Sequence, residues 1–419
     1  MPAGISKQLS LRKDYLCALP FSGMTIGAQG DVTLCCASPL HPIKSLKDIP
    51  DLASFYNGAE MEYFRTVMED RGIASLPACN GCWQSQRAGQ ASLMTECNEW
   101  PSLTANFDGD WELRKQGRPR PIRYLEYTCS NICNQSCSTC GSFFSSKWRD
   151  IEREQFSVEE REVFGRGINE IQSLTDDDIQ KIIAVLPQLS ELVIKGGEPW
   201  ADKNNLTILN AALDVNPDCK FTIISNMQAV SASTFKMLEK VRTRGVKQFA
   251  LSASIDGVGK VYDWIRGGSF EKTVKNLETF YEVTGQQINI IPCISIHNFF
   301  HLERIFDYFT DKAYVRRIHL WGIARTPSYV SAMNLPPMLF SRRRNALREE
   351  IIPHYARRME SAGQVLHQGG IFNDLQLDGS FSVKNLKLSM QWIEKMNRVR
   401  GFRLQDHVSE LREMTELVL

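Results

Sequence analysis

Residues 121–140 read Pro-Ile-Arg-Tyr-Leu-Glu-Tyr-Thr-Cys-Ser-Asn-Ile-Cys-Asn-Gln-Ser-Cys-Ser-Thr-Cys. The apolar and aromatic run at 121–128 predicts a strand, because such residues fit a pleated, half-buried surface. A loop with Cys133, Cys137 and Cys140 follows immediately. This spacing offers three thiolates from one short segment. Three thiolates on an iron–sulfur cubane leave one iron open to a small chelating molecule, which a fully ligated cluster does not. On spacing alone a zinc site is the alternative, although zinc usually takes a fourth ligand and favours paired spacings.

Working outward from that strand, five more short apolar runs read as strands, at 191–195, 220–225, 247–254, 287–296 and 316–322. Helical periodicity fills the intervals, at 176–189, 231–245 and 269–285. Six strand-then-helix units imply parallel strands joined by right-handed crossovers. The pattern fits either a partial barrel or an open doubly wound sheet. Both place ligands at the C-terminal ends of the strands. Residues 1–118 are cysteine-rich and irregular, 119–330 hold the α/β array, and 331–419 read as mostly helical.

The 419 residues carry a net charge of +1, which gives no argument for nucleic acid or an anionic membrane. No run approaches the roughly 18 apolar residues of a membrane span. The first residues lack a secretory h-region. A cytoplasmic protein is the expectation, and there disulfides are disfavoured. Twelve cysteines then stand out, and ten of them precede residue 141. Clustered thiols in a reducing compartment point to metal or redox chemistry.

The loop and its position after the first strand resemble the radical SAM (S-adenosylmethionine) superfamily. That resemblance implies a partial (β/α)6 TIM-like barrel, with a 4Fe–4S cluster on Cys133, Cys137 and Cys140. Its open iron would chelate SAM, and reductive cleavage would give a 5′-deoxyadenosyl radical. Lys195-Gly196-Gly197-Glu198-Pro199 resembles the family's GGEP motif at the methionine end of SAM. Ser252-Ala-Ser254-Ile-Asp256-Gly257, with Arg266 further on, is similar to a segment of the SPASM/twitch branch. The resemblance assigns Ser254 to the SAM ribose and Arg266 to its carboxylate. Ser225 and Asn226 close the third strand and face the same cavity in this reading, or else solvent. Two positions depart from the family pattern: Thr139 precedes the third cysteine, and Lys195 precedes the GGEP.

A second set comprises Cys17, Cys35 or Cys36, Cys79 and Cys82. A CxxC such as Cys79/Cys82 suits zinc or an iron–sulfur cluster equally. With the helix expected at 51–70, the set resembles a SPASM/twitch auxiliary-cluster domain, here placed before the barrel. The resemblance favours Cys35 over Cys36 as the fourth ligand. Cys97, Cys129, Cys219 and Cys293 read as ordinary buried residues.

Together these readings imply SAM, two 4Fe–4S clusters and an external reductant of the flavodoxin or ferredoxin type. A fully ligated second cluster would accept an electron, so the product is expected to be oxidised. The expected substrate is a peptide or protein side chain, although only sixteen residues precede Cys17, too few for a peptide-recognition module. A sugar or aminocyclitol alcohol is the alternative. A non-catalytic zinc-binding protein is the alternative of another class. A hydrolase of the TIM type would need paired acid and base residues, and Asp256, Glu198 and His319 form no recognisable pair. The arginine-rich run at 341–361 reads as a solvated helix face.

Overall fold

The computed structural model describes residues 6–12, 15–128, 130–376 and 381–418, without the side chains of Phe372 and 416–418. Ten strands occur in chain order: β1 (Gly23–Ile26), β2 (Asp31–Thr33), β3 (Lys44–Ser45), β4 (Tyr124–Thr128), β5 (Glu191–Lys195), β6 (Lys220–Ser225), β7 (Phe249–Ala253), β8 (Ile288–Ile290), β9 (Val315–His319) and β10 (Val365–His367). The chain forms two compact units. The first contains Met1–Ser130, Gln172–Ile223 and Lys236–Phe249, and the second contains Asn131–Ile171, Ile224–Phe235 and Ala250–Leu419.

In the first unit β4, β5 and β6 run parallel, with Glu126 opposite Val193 and Val193 opposite Thr222. β1 joins β4 in parallel, and β2 and β3 extend the sheet as antiparallel strands. In the second unit β7, β8, β9 and β10 are parallel, with a bulge where Ile288 gives way to Asn289. The strand expected at 287–296 is therefore three residues long. The segment expected to be helical also supplies β10, and the N-terminal region expected to be irregular supplies three strands. Runs of two to four residues are too short to show a period of two, so none of these stood out in the sequence.

The helix expected at 51–70 is two helices, Leu52–Tyr56 and Ala59–Arg71. Asn57 ends the first, donating from Nδ2 to the carbonyls of Ala53 and Arg120. A polar side chain that binds backbone competes with helix continuation.

Alternation along the strands distinguishes the two architectures left open above. In β4 and β5, Leu125, Tyr127, Leu192 and Ile194 share one buried face. The buried faces of helices Asp176–Val185 and Lys203–Val215 are likewise apolar, with Ile179, Ile182, Ile208 and Leu209. The other face of the strands is polar: Tyr124 donates to Glu126 at 2.8 Å, and Thr222 donates to Glu191 at 2.8 Å. A doubly wound sheet is covered by helices on both faces and reads as continuous apolar runs. One apolar and one polar face is the pattern of barrel strands. Six strand-then-helix units of this kind make the fold a partial (β/α)6 barrel with a cysteine-rich N-terminal part. Among the described residues, no helix is long and apolar enough to cross a membrane.

Candidate functional site

The three-cysteine loop lies in the second unit, and its backbone is tied down on every side. The Ser138 N–H donates to the Ile265 carbonyl at 2.7 Å, and the Trp148 indole donates to the Cys137 carbonyl at 2.9 Å. The Trp392 indole donates to the Ser138 carbonyl at 3.1 Å. Arg400 Nη1 donates to Ser136 Oγ at 3.0 Å and its Nη2 to the Ser136 carbonyl. Arg166 donates to the Cys140 carbonyl while its guanidinium packs against the Trp148 and Trp392 rings, 4.7 and 4.3 Å from their centroids. Its ion pair with Glu152, at 3.2 Å, is buried. Trp148, Trp264 and Trp392 are fully buried. The sequence reading missed this support, because Arg166, Trp392 and Arg400 come from segments with no motif of their own.

The thiols act on one another. Burial pushes Cys140 up to about 12, and the neighbouring Cys137 and Cys133 add to it. Burial also raises Cys137, against the pull of Arg266. Thiols that burial keeps protonated must lose those protons to bind iron, so a positive side chain nearby favours loading. Arg266 has that place. Its Nη1 is 3.0 Å from Asp256 Oδ2, and Asp256 is fully buried. Asp256 Oδ1 also accepts from the Cys293 N–H at 2.7 Å. Burial works against the Arg266 charge, but Cys137 and Asp256 outweigh it and hold the guanidinium protonated. Its Nε is buried with no hydrogen-bond partner. The donor set and this spare N–H fit a thiolate-held cluster beside an anionic ligand.

Asn226 reaches the same loop, with Nδ2 2.9 Å from Asn134 Oδ1 and 3.9 Å from Cys133 Sγ. Ser254 is half-buried, and its N–H donates to the Ser225 carbonyl at 2.9 Å. Thr139 shares a hydrogen bond with Cys293, which is half-buried and not enclosed as expected. Cys219 is buried, and Cys129 lies outside the described residues.

Gly196, Gly197 and Glu198 belong to the first unit, at the end of β5. A Cβ on Gly196 would stand 2.1 Å from Thr128 Cγ2, and its φ is +82°, so only glycine fits. Buried Glu198 accepts from the Trp200 N–H at 3.3 Å, capping the turn that follows. Lys195 forms an ion pair with Glu126. Burial lowers the Lys195 pKa, but Glu126 and then Cys36 more than offset that.

The second cysteine set surrounds a cavity in the first unit. Cys17, Cys35, Cys79, Cys82 and Cys97 line it, with Leu19, Met68, Ile73 and Met94. The cavity has a volume of about 40 Å³. Cys36 follows Cys35 in the chain but is held by Glu126 instead of facing the cavity. Burial and the neighbouring thiols push Cys35 up to about 12. Cys17 goes the other way, lowered by a hydrogen bond from the Cys97 thiol. Cys97 is thus not an ordinary buried residue but a fifth thiol in the cavity. The helix Leu93–Cys97 brings it there, started by a capping box between Ser92 and Thr95. Among the described residues, no three His, Cys, Asp or Glu side chains are arranged to hold a single metal ion.

Residues 127–309 match the radical SAM superfamily, and residues 17–83 match the iron–sulfur cluster-binding domain SPASM. The chain therefore contains a radical SAM domain and, ahead of it, a SPASM domain. The cofactors of those two domains are SAM and iron–sulfur clusters. No curated protein matches it. Among solved structures it is similar to SuiB of Streptococcus suis bound to the precursor peptide SuiA, at 16% identity and a TM-score of 0.43. That match covers 73% of this chain and 64% of SuiB. It is similar to anSMEcpe with bound AdoMet at 14% identity and a TM-score of 0.40, over 59% of this chain and 63% of that one. A radical SAM methyltransferase from Sphaerobacter thermophilus matches at 12% identity and a TM-score of 0.35, over 59% of this chain and 66% of the other. The chain thus spans less than two thirds of the length of each.

Proposed function

We propose that this protein is a radical SAM enzyme whose product is more oxidised than its substrate, with a peptide or protein side chain as substrate. The observation that carries the reading is the second thiol-lined cavity, separate from the three-cysteine loop. When bound, SAM and a three-thiolate 4Fe–4S cluster supply a hydrogen-abstracting radical, and a second, fully ligated cluster supplies an exit for one electron. Cys133, Cys137 and Cys140 would hold the first cluster. Cys17, Cys35, Cys79 and Cys82 would hold the second.

The chain's own residues do the rest. Arg266 offers a buried positive charge to a carboxylate, and Asp256 fixes its direction. Asn226 lies along the cluster loop. The three buried tryptophans keep water from the back of that loop. An external reductant of the flavodoxin or ferredoxin type would deliver the first electron. The test is anaerobic reconstitution, reduction with dithionite and addition of SAM. The expected products are 5′-deoxyadenosine and methionine, and their absence from iron-loaded protein would overturn the reading.

Two predictions follow from single side chains. Arg266→Ala leaves Asp256 charged, buried and without its partner, so unfolding should become easier by about 3–5 kcal/mol. SAM binding should weaken at the same time by at least roughly tenfold, from the loss of a charge-assisted hydrogen bond. Thermal unfolding of the apo protein and SAM titration of the loaded protein read the two effects separately. Unchanged SAM affinity would remove Arg266 from the carboxylate.

Cys97→Ala should leave the iron content unchanged, because four thiols remain around the cavity. It should shift the midpoint potential of the second cluster downward, because a hydrogen bond to a ligand sulfur is one of the factors that set such potentials. A loss of about four irons would instead make Cys97 a ligand.

A further inference from the structure

We propose that Arg317, with His319 and His367 beside it, forms a subsite for an anionic group of the substrate, a carboxylate or a phosphate. The proposal rests on the radical SAM reading and narrows its substrate class. The strand register makes the case. Ile290 pairs with Ile318, and Ile318 with Leu366, giving one buried apolar face on β8, β9 and β10. The alternate positions share the opposite face: Asn289 pairs with Arg317, and His319 pairs with His367. His319 and His367 end their strands, where ligands bind in β/α folds.

Arg317 makes this face cationic, and among the described residues it has no counterion. Arg317 is half-buried, and its Nε is buried with no hydrogen-bond partner. Burial and then Arg316 lower its pKa, and no carboxylate opposes them. The same holds at His319, where burial, His367 and Arg317 together bring the pKa down to about 3. Arg166, Arg266 and Arg343 of this unit hold carboxylates, on Glu152, Asp256 and Glu303, while Arg161 and Arg400 are bonded to backbone carbonyls. A charge drawn out of water without a partner is costly, and an anionic ligand would remove that cost.

The imidazole next to it is held firmly. The His319 ring stacks on Trp321, with centroids 3.9 Å apart and planes 16° apart, and His367 meets it edge-on at 4.1 Å. Its Nε2 is buried without a hydrogen-bond partner, and a Cβ on Gly369 would come within 3.1 Å of that atom. Asn289 Oδ1 is also buried and unpartnered, so a neutral polar group adjoins the Arg317 charge. Trp321 is 46% exposed and leaves the edge of the subsite open. The three basic side chains thus supply a planar donor fork and two imidazoles for an oxyanion.

The test is calorimetric titration of the iron-loaded enzyme with inorganic phosphate and, separately, with glutarate. At least one should bind saturably at one site, and which one does decides between phosphate and carboxylate. Arg317→Gln should weaken that binding by at least roughly tenfold, the loss of one charged hydrogen-bond partner. Arg317→Lys, which keeps the charge but not the fork, should retain part of it. Arg342→Gln, at an exposed arginine, should bind as the wild type does. Iron content and SAM affinity check that each variant is folded. Saturable binding by neither probe, or binding indifferent to Arg317→Gln, overturns the subsite. Reductive SAM cleavage by the wild type is measured apart from this, so failure of the subsite and failure of the radical SAM reading give different results.

Discussion

Replacing Cys133, Cys137 and Cys140 together by Ala should remove about half of the roughly eight irons expected for two cubanes, and should abolish reductive SAM cleavage. The loss of activity should be complete, because Cys129 alone remains in this loop, and one thiol does not hold a cubane with an iron open to SAM. The fold should survive better than the activity does. The loop is anchored mainly through backbone carbonyls, to Trp148, Trp392, Arg166 and Arg400, and those bonds need no thiol. Iron analysis, the electron paramagnetic resonance spectrum of the reduced protein and a 5′-deoxyadenosine assay read the three consequences. Full iron content in the triple variant would refute the ligand assignment.

The double variant Cys79→Ala, Cys82→Ala should have the complementary effect. Two of four proposed ligands are gone, so the cluster in the N-terminal cavity should fail to assemble. Iron should again fall by about half. The three-cysteine loop belongs to the other compact unit and keeps every ligand, so SAM cleavage should persist at least in part. Conversion of the true substrate should be lost, because a substrate radical would have no acceptor for its second electron. The cavity is lined by Leu19, Met68, Ile73 and Met94 as well as thiols, so part of its structure stands without metal. A metal site can still be a folding staple. Circular dichroism and retained SAM binding distinguish lost redox function from unfolding. Full substrate turnover by the double variant would sink the electron-acceptor role.

Much of the candidate site was legible because its signals are local. Cys133, Cys137 and Cys140 fall within eight residues, and a loop that short keeps its thiols together in any fold. Gly196 was legible for a related reason: a positive φ against Thr128 admits no other residue. Lys195 was the harder case. Its partner is Glu126 on the neighbouring strand, and nothing in either segment announces the pairing. The arginine-rich run read as solvated was legible only in part. Arg342 is exposed, but Arg343 clamps Glu303 and donates to the Phe299 carbonyl at 3.0 Å.

By itself the sequence determined the class of chemistry, since ligand type and spacing are properties of the covalent chain. It also determined the order of strand-then-helix units, since each is written in a local period. Tertiary structure decided the rest. Cys35 and Cys36 are adjacent in the chain, and only the folded turn after β2 assigns one to the cavity and the other to Glu126. Cys97 carries no motif, yet a capped helix returns it to Cys17, eighty residues earlier in the chain. His319 and His367 meet only because β10, a three-residue strand in a helical segment, pairs in register with β9. Contacts of this kind depend on register and not on spacing. A shift of one residue would turn each side chain to the other face, and no local pattern records which register the fold selects.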